Sequence, residues 1–429
     1  MDSLIDKNYD VKIVSPAGNL DKLKFAVKYG ADEVYFGGKL FNLRNNSGNF
    51  NLNEIEEGIK FSKERGVKTT FLLNSFLYEN DIENLKIYVE KIKNFDIDAI
   101  MISDPGVFMI LKEADIKAEI HLSTQMSTLN HLAVEFWNKM GFKRIVLARE
   151  TSIEDIRRIR KFTNIEIEIF VHGALCISYS GRCLLSRFLS GRDANKGNCS
   201  HPCRWRYALI EEKRPGNHLE IIEYAHNSAI LSSKDLCLLK KLPEYIEAGV
   251  NAFKIEGRMK SLYHTANTTR IYKDAILAYK TGKDYDKLLT FWQEELDLVS
   301  HRPYTDDLFN EFDNMKFNDI PYIKNSLFLG YKISDEWDKT KIYVKTHNPI
   351  YLNERIEAIF PIHDSIKDET FLVEEIIDNE KNVDMARPGE IYLIKFDKPV
   401  NDDAIFRRKL HCDDIAPTKF NKECNTSNH

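Results

Sequence analysis

The residues with the clearest chemical potential are cysteines, and most of them lie in one stretch of the chain. The chain has seven cysteines, none of which precedes residue 176. Four of them follow a C-x6-C-x15-C-x3-C pattern, namely Cys176, Cys183, Cys199 and Cys203. The other three are Cys237, Cys412 and Cys424. Four thiolates on one segment can wrap a metal centre, and sulfur donors favour zinc or iron–sulfur clusters over hard cations.

The spacing of these cysteines bears on the kind of centre they could form. Structural zinc sites usually contain two short Cys-x2–4-Cys pairs, whereas here only Cys199 and Cys203 form a short pair. The wider spacings favour an iron–sulfur cluster, with a zinc site and uncoordinated thiols as the alternatives. An odd number of cysteines argues against a framework of disulfides.

Composition and charge limit the class of protein. Hydrophobic residues make up 43% of the 429 residues, which is enough for a large core and unlike a disordered chain. No apolar run approaches the ~20 residues that a membrane span needs, and residues 1–6 lack the features of a signal peptide. We therefore expect a cytoplasmic protein with no membrane segment. The net charge of −5 does not indicate nucleic-acid binding by the surface as a whole.

The elements that could position the cysteines alternate along the first 280 residues. Short β-rich runs alternate with longer amphipathic segments, which predicts parallel strands connected by helices. Eight strands are predicted, beginning at residues 12, 33, 68, 99, 117, 144, 166 and 252. Eight such units close a TIM-type (β/α)8 barrel, and an open doubly wound α/β sheet is the alternative. The cysteines follow strand seven, in a long insertion over residues 174–235.

The rest of the chain has a different texture. We expect residues 1–285 to form the barrel that carries the cysteines, and residues 286–326 to form a helical linker. Six short β-rich runs from Leu327 onward are separated by turn residues, which predicts a small β-barrel over residues 327–415. Residues 416–429 are expected to be a disordered tail.

Polar residues cluster at the predicted strand ends, where the active sites of (β/α)8 barrels lie. Helix capping explains some of them. It does not explain His121, Gln125, Arg149, Glu150, His172, Glu256 and Arg258. Their positions predict a functional pocket at the barrel mouth, with His121, His172 and Glu256 as candidate catalytic residues. The alternative for Glu256 is an internal salt bridge with Arg149 or Arg258.

The cysteine segment also carries a local positive charge. Between Arg182 and Arg206 there are six basic residues and one acidic residue, a local charge of +5. Four aromatic residues accompany these charges, namely Tyr179, Phe188, Trp205 and Tyr207. This mixture suits stacking on a flipped RNA base. The alternatives are that the cations stabilise an anionic cluster and that the aromatic side chains are buried.

A longer motif in this region is recognisable. The run from Glu168 to Ser186 reads E-x-F-x-x-G-A-L-C-x4-G-x-C-x-L-S, and at every defined position it resembles the signature of the collagenase-like peptidase family U32. Within that family, residues 199–205, 232–236 and 254–258 look most like the branch of tRNA hydroxylation proteins. The resemblance covers nearly the whole chain, including its β-rich C-terminal part.

The resemblance implies a tRNA uridine hydroxylase that forms 5-hydroxyuridine at the wobble position, with a [4Fe–4S] cluster and prephenate as a required metabolite. Carried over by position, the cluster ligands are Cys176, Cys183, Cys199 and Cys203. Cys237 is a rival for the fourth position, because related hydroxylation proteins that act on quinone precursors take their fourth cysteine from further along the chain. Arg149 and Arg258 are then expected to bind the two carboxylates of prephenate.

Two other functions stay open on the sequence. One is proteolysis, in which Cys176 and His172 would be the nucleophile and its base, although the chain has no His-Glu-x-x-His or Gly-x-Ser-x-Gly motif. The other is hydroxylation of a quinone precursor together with a partner subunit. A protein partner or a homo-oligomer is compatible with the sequence, and the small C-terminal β-barrel is an alternative RNA-binding surface.

Overall fold

The part of the chain that a computed structural model describes covers most of the predicted elements. The structure describes residues 11–44, 48–176, 178–204, 209–210, 218–219, 234–306, 322–335, 338–362, 366 and 368–410. The predicted tail, most of the insertion after residue 204, and the candidate stacking residues Trp205 and Tyr207 lie outside the described residues. Cys412 and Cys424 lie outside them as well.

The chain divides into two compact units, Met1–Leu289 with Arg302–Pro321 and Thr290–His301 with Tyr322–His429. The described strands of the first unit are β1 Lys12–Pro16, β2 Glu33–Phe36, β3 Lys68–Leu73, β4 Ala99–Ile102, β5 Glu119–Leu122, β6 Arg144–Val146, β7 Glu166–Ala174, β8 Leu209–Ile210, β9 His218–Leu219, β10 Asp235–Cys237, β11 Ala252–Ile255 and β12 Tyr304–Thr305. Its described helices are α1 Leu20–Lys28, α2 Leu52–Lys63, α3 Ile82–Ile92, α4 Pro105–Glu113, α5 His131–Lys139, α6 Ile153–Arg160, α7 Leu185–Ser190, α8 Leu242–Glu247 and α9 Leu262–Lys280.

Eight parallel strands of the first unit close into a barrel. They are hydrogen-bonded in the order β11-β1-β2-β3-β4-β5-β6-β7, and β7 pairs in parallel with β11 to complete the ring. The closing register places Ala252 opposite Glu168 and Phe253 opposite Ile169. Helices supply the crossovers that parallel neighbours require. The predicted TIM-type (β/α)8 barrel is confirmed, and an open sheet is excluded.

Local sequence explains where the first two barrel helices begin and end. The Asn19 and Asn51 side chains accept backbone hydrogen bonds at the start of α1 and α2, which satisfies N–H groups that a helix leaves unpaired. Gly30 and Gly66 follow these helices with φ values of +101° and +70°, which glycine adopts without a steric penalty. The two glycines therefore mark where these helices end.

A charged network fills the barrel interior at the level where β2, β6 and β7 begin. Arg144 Nη1 donates to Glu33 Oε2 at 2.8 Å and to Glu168 Oε2 at 3.0 Å, and Arg144 Nη2 lies 2.7 Å from Glu166 Oε2. Lys254 Nζ donates to Glu168 Oε1 at 2.7 Å. Burial would raise the pKa of Glu33, but Arg144 lowers it to about 2. Each buried cation therefore faces at least one carboxylate, as buried charges require.

Replacing Arg144 by Met is expected to destabilise the barrel. The substitution leaves the Glu33 and Glu168 carboxylates buried without their common cation, and breaking a buried ion pair typically costs about 3–5 kcal/mol. Urea-induced unfolding measures the change in the free energy of unfolding. The matched control is Arg158→Met on α6, where the arginine side chain is 75% exposed and a change below ~0.5 kcal/mol is expected. Equal effects of the two substitutions would contradict the role given to the network.

The chain leaves the barrel after β7 and returns to it in the antiparallel direction. Asp235 of β10 lies opposite Ala174 of β7, and Cys237 lies opposite His172. Strand β12 adds to β10 in parallel. Between β7 and β10, the described residues contain helix α7 and three short 3-10 turns, Tyr179–Gly181, Ala194–Lys196 and Pro202–Arg204. They also contain the short strands β8 and β9, which pair with each other. The insertion predicted after strand seven is present.

The second unit is a closed antiparallel β-barrel. Its described strands are β13 Ser326–Asp335, β14 Lys341–Thr346, β15 Ile350–Tyr351, β16 Arg355–Ile359, β17 Glu369–Asp378, β18 Lys381–Asn382, β19 Met385–Ala386, β20 Ile391–Phe396 and β21 Ile405–Lys409. The order β16-β21-β13-β14-β20-β17 returns to β16 through the β16–β17 pairing. Residues such as Leu329, Val344 and Phe406 fill its core. The predicted small β-barrel is confirmed.

The segment predicted as a helical linker is structured where it is described. Helix α10 covers Tyr285–Asp297. In the second unit, Arg407 of β21 binds the Glu295 carboxylate of this helix through two hydrogen bonds of 2.7 and 2.8 Å. The later part of the predicted linker contains β12, which pairs with β10 in the sheet of the first unit. Within the described ranges, the helices lack the combination of length and apolar character that spanning a membrane requires.

Candidate functional site

The carboxyl ends of the barrel strands surround a cavity. Apolar strand residues line part of it, among them Leu72, Met101 and Val146. The charged and amide side chains that line it are Arg44, Asn74, Gln125, Arg149, Lys254, Glu256 and Arg258. Four residues predicted for the mouth are therefore brought together there, namely Gln125, Arg149, Glu256 and Arg258.

Glu256 is the carboxylate at which the arginines of the cavity meet. Its Oε2 lies 3.3 Å from Arg44 Nη2 and 3.9 Å from Arg149 Nη2. Burial would raise the pKa of Glu256, but Arg44, Arg149 and Arg258 together hold the pKa below its usual value. The carboxylate is therefore ionised at neutral pH, which makes it a counter-ion and hydrogen-bond acceptor rather than a proton donor. Of the two salt bridges considered for Glu256, the one with Arg149 is present at 3.9 Å. Arg258 acts on Glu256 only through the electrostatic effect on its pKa.

The backbone of β7 fixes the position of Glu256. The Glu256 N–H donates to the carbonyl oxygen of His172 at 2.8 Å. Gly173 packs against the same loop with a φ of +102°. A Cβ at residue 173 would lie 2.1 Å from the Glu256 carbonyl oxygen, so glycine is required at this position. The glycine of the long motif therefore allows the close approach that places the carboxylate in the cavity.

Arg149 presents its guanidinium to the cavity with few internal partners. Nη1 donates to the Ala174 carbonyl oxygen at 3.5 Å, near the limit for a hydrogen bond. Nε has no hydrogen-bond partner among the described residues. The side chain is only 10% exposed, and its Cζ stacks 4.2 Å from the centre of the Phe170 ring. A buried guanidinium with unused donors is suited to bind a planar anion through two hydrogen bonds.

Arg258 also lines the cavity, but its guanidinium donates hydrogen bonds to another loop of the protein. Its Nη2 donates to Asn42 Oδ1 at 3.2 Å and to the Asn49 side chain. Burial lowers the pKa of Arg258 to about 10, so it is still a cation at neutral pH. Arg258 therefore ties the loop after β2 to the loop after β11 and adds positive charge to the cavity. Direct binding of a ligand by Arg258 stays a prediction.

Arg44 is a candidate that the sequence patterns did not reveal. It lies in the 37–51 loop between β2 and α2 and belongs to no motif. Glu256 is the main cause of its raised pKa, and the Cys176 and Cys199 thiols also contribute. The loop itself was the available signal, because most β–α connections in such barrels have about 2–6 residues. Arg44 joins the cavity electrostatically to the cysteine segment.

His121 lies inside the barrel and does not line the cavity, contrary to the prediction. It is opposite Met101 on β4 and opposite Arg144 on β6. Its Nε2 lies 3.5 Å from Glu119 Oε2. The pKa of Glu33 is determined first by burial, then by Arg144 and then by His121. His121 therefore lies beside the charged network. The sequence indicated the end of the strand but not the level at which an inward side chain sits.

His172 does not line the cavity either, which corrects a second prediction. The pairing of β7 with β11 shifts by one residue between Lys254 and Ile255. Such a bulge reverses the face to which the following side chain points. The His172 ring lies 5.7 Å from the ring of His264 and 5.6 Å from that of Tyr272, both on α9. Sequence alternation alone could not locate this bulge.

The cysteine segment, defined here as residues 176–203, is folded back on itself by polar side chains. Asn195 accepts a hydrogen bond from the Cys183 N–H at 3.3 Å and donates to the Cys183 carbonyl oxygen at 3.1 Å. The Ser200 hydroxyl lies 3.0 Å from that of Ser186 and 2.6 Å from that of Ser190. These bonds hold the part containing Cys183 against the part that follows Cys199.

Loops at the barrel mouth anchor this segment. The Phe76 N–H donates to the Asn195 carbonyl oxygen at 3.1 Å, and Lys196 Nζ donates to Asp81 at 2.6 Å. Both barrel residues follow β3, whose end also supplies Asn74 to the cavity. On the β6 side, Glu150 accepts hydrogen bonds from the Ser180 N–H and hydroxyl. Glu150, predicted for the mouth, therefore serves to position the cysteine segment.

The chain matches the profile of Peptidase family U32 over residues 18–317. It belongs to this family. The U32 relative named tRNA hydroxylation protein P1, from Bacillus subtilis (strain 168), is 35% identical over 402 residues, which cover 92% of this chain and 94% of the relative. The tRNA hydroxylation protein P of Escherichia coli (strain K12) is 33% identical over 76% of this chain and 78% of the relative.

A third relative carries a different name. The protein named Collagenase from Porphyromonas gingivalis (strain ATCC BAA-308 / W83) is 34% identical over 309 residues, which cover 69% of this chain and 73% of the relative. The resemblance inferred from the long motif is confirmed at the level of the family. The names within the family differ, so the choice of activity depends on the site.

The number and placement of the cysteines bear on whether they can bind a metal centre. Among the described residues, no three His, Cys, Asp or Glu side chains converge as ligands of one metal ion do. The five described cysteines are not joined in disulfides. A [4Fe–4S] cluster takes one thiolate on each of its iron atoms, so the four thiols of one folded segment fit such a cluster by number and donor type. The ligand set stays a prediction on that basis.

Proposed function

We propose that this U32 protein is a tRNA-modifying enzyme that hydroxylates the wobble uridine to 5-hydroxyuridine. The observation that carries the proposal is its similarity, along 92% of the chain, to a relative named tRNA hydroxylation protein P1. The site agrees with this activity, because a cationic cavity lies beside a basic, cysteine-bearing segment. Such a site suits a small anion and a polyanionic substrate together.

Cys176, Cys183, Cys199 and Cys203 would hold a [4Fe–4S] cluster in the active protein. Such a cluster, when bound, supplies one-electron redox chemistry. Arg44 would contribute positive charge near it, because Glu256 and, to a smaller extent, the Cys176 and Cys199 thiols raise the pKa of Arg44. Cys237 is the rival fourth ligand, and its Sγ lies 3.7 Å from the Tyr272 hydroxyl.

Prephenate would occupy the cationic cavity. Among the described residues, Arg44, Arg149 and Arg258 all lie around the carboxylate of Glu256, whereas Lys254 is paired with Glu168. Three guanidinium groups around one cavity would favour an anionic ligand. Arg149 would take one carboxylate through its unused donors, and the second carboxylate would face Arg44 or Arg258. The role of the three arginines is to bind and orient the metabolite.

The tRNA would contact the basic side chains of the cysteine segment. Arg187 Nη1 donates to the Tyr78 hydroxyl at 2.7 Å, and Arg192 Nε donates to Asn198 at 2.9 Å. A guanidinium has five N–H donors, so each arginine keeps donors for a phosphate. Lys196 belongs to the same basic run, but its ion pair with Asp81 anchors the segment.

The double substitution Arg187→Gln and Arg192→Gln is expected to weaken tRNA binding. Each lost phosphate contact lowers the slope of log affinity against log salt by roughly one, so the slope should fall by about two units. Fluorescence anisotropy with labelled tRNA at several salt concentrations measures it. The matched control is Arg157→Gln with Arg158→Gln on α6. An unchanged slope for the first pair would place the RNA-binding surface elsewhere, for instance on the second unit.

Proteolysis is the second candidate, because one relative is named Collagenase. The thiol–imidazole pair considered for it gains no support, since the His172 ring lies among rings of α9 and 5.4 Å from the Tyr304 ring. The test is incubation of the purified protein with denatured collagen. Cleavage that disappears in Cys176→Ala would support proteolysis, whereas intact collagen alongside tRNA binding would support the RNA enzyme.

A further inference from the structure

We propose that Leu184 and Phe188 form a hydrophobic wedge that inserts between bases of the RNA substrate and holds the target uridine out of the stack. The inference rests on the proposed function, because it specifies how a tRNA would be held. It concerns side chains on the outer surface of the cysteine segment, which neither the cavity nor the proposed cluster uses.

The wedge is unusual for its exposure. Phe188 is 84% exposed and Leu184 is 76% exposed, the two highest values for large hydrophobic side chains in the described part of the chain. The Phe188 N–H donates to the Leu184 carbonyl oxygen at 2.9 Å. Residues four apart in a helical turn lie on the same face, so the two side chains form one apolar projection. Exposing apolar surface to water is unfavourable, and the free energy falls when a partner covers that surface.

Hydrogen bonds from helix α7 to neighbouring residues hold the wedge in place. Helix α7 has six residues, which is too short to be stable on its own. Its Ser186 hydroxyl donates to the Arg192 carbonyl oxygen at 2.7 Å, and its Ser190 hydroxyl lies 2.6 Å from that of Ser200. Arg187 ties the helix to Tyr78 on the barrel. The apolar side chains are therefore presented to solvent by a fixed scaffold.

The charges around the wedge favour nucleic acid as its partner. Arg182, Arg187 and Arg192 lie in the same stretch of sequence as the wedge. The acidic residue in this stretch, Asp193, lies 3.5 Å from Arg187. Tyr179, at the start of the same segment, is also exposed. Apolar side chains flanked by guanidinium groups match the arrangement of bases flanked by phosphates. A protein partner would have to bring an acidic rim to the same face, and the test separates that case.

A wedge has a clear role in base hydroxylation. Neighbouring bases cover the two faces of a stacked uridine, from which C5 is approached, so an enzyme that reacts there extrudes the base at the cost of its stacking. Apolar side chains inserted between base steps replace part of the lost stacking. Phe188 and Leu184 would fill the gap that the extruded uridine leaves. The basic residues would meanwhile hold the flanking phosphates.

The test uses the full-length, iron-loaded protein and a tRNA carrying 2-aminopurine beside the wobble uridine. Phe188→Ala is expected to weaken tRNA binding roughly 10- to 100-fold, the usual loss for one base–aromatic stack. Phe188→Trp should retain binding. Wild-type protein should raise the 2-aminopurine fluorescence, and Leu184→Ala with Phe188→Ala should not, with iron content unchanged. The matched control is Phe162→Ala, which removes another exposed phenylalanine of the first unit.

The remaining outcomes distinguish the wedge from the proposed function. If the wild-type protein binds tRNA and the double variant binds equally well with the same fluorescence rise, the wedge is wrong and the function stands. If the wild-type protein does not bind tRNA, both are wrong. If Phe188→Ala leaves tRNA binding intact but dissociates an oligomer in analytical ultracentrifugation, the face binds protein and the wedge is overturned.

Discussion

Replacing Cys176, Cys183 or Cys199 by Ala is expected to abolish both the brown absorption near ~400 nm and the hydroxylation of tRNA. Loss of one thiolate leaves an iron corner of the proposed cluster without its protein ligand. Iron and sulfide analysis after anaerobic purification measures the first effect, with about four of each expected per wild-type chain. Stoichiometric zinc in the wild-type protein, or full iron content in these variants, would contradict the ligand set.

The fourth ligand is tested within the same series. Cys203→Ala should bleach the protein, because Cys203 lies on the same folded segment as the other three cysteines. Cys237→Ala is the matched comparison and should keep its colour, since its thiol lies on β10 beside the Tyr272 hydroxyl. The reverse pattern would make Cys237 the fourth ligand and leave Cys203 as an ordinary residue of the segment.

Arg149→Met is expected to lower the rate of tRNA hydroxylation at least ~100-fold at limiting prephenate. Removing one partner of a buried, hydrogen-bonded charge pair typically costs about 2–5 kcal/mol, and the Arg149 side chain is largely buried with unused donors. The methionine keeps an apolar side chain of similar length and removes the guanidinium with its contacts to Ala174, Glu256 and the Phe170 ring. Iron content and the unfolding midpoint should match those of the wild-type protein, which separates lost binding from lost folding.

Two control substitutions separate the loss of prephenate binding from other effects of removing an arginine. Arg157→Met removes an exposed arginine of α6 and should leave the rate unchanged. Arg258→Met should also lower the rate, but with loss of stability, because Arg258 holds the Asn42 and Asn49 side chains. Full activity of Arg149→Met at limiting prephenate would show that the metabolite does not bind in the barrel mouth.

The barrel was predictable because its signal is periodic. Buried strands such as Ala99–Ile102 alternate with amphipathic helices, and eight such units close in only one common way. Local sequence also accounts for the ends of helix α2, because Asn51 caps its start and Gly66 follows its end with a positive φ. The second unit was predictable for the same reason, since short β-rich runs separated by turns have few compact arrangements.

The candidate site was predictable only in part. Glu256 directly follows β11 and Arg149 lies three residues after the end of β6, so the rule for strand ends places both at the mouth. His121 and His172 were misplaced because the rule gives neither the level of a side chain within the barrel nor the bulge between Lys254 and Ile255. Arg44 escaped because it enters the cavity from a long loop. Tertiary contacts with Glu256 define its role, and no local pattern encodes them.

Nucleoside mass spectrometry of tRNA tests the central claim most directly. The chain is expressed in a bacterium that lacks its own U32 hydroxylases, and the tRNA is digested and compared with tRNA from cells that express Cys176→Ala. We expect a wobble uridine heavier by one oxygen atom with the wild-type chain and unmodified uridine with the variant. Unmodified uridine in both strains, from cells in which the wild-type protein carries its full iron content, would contradict it.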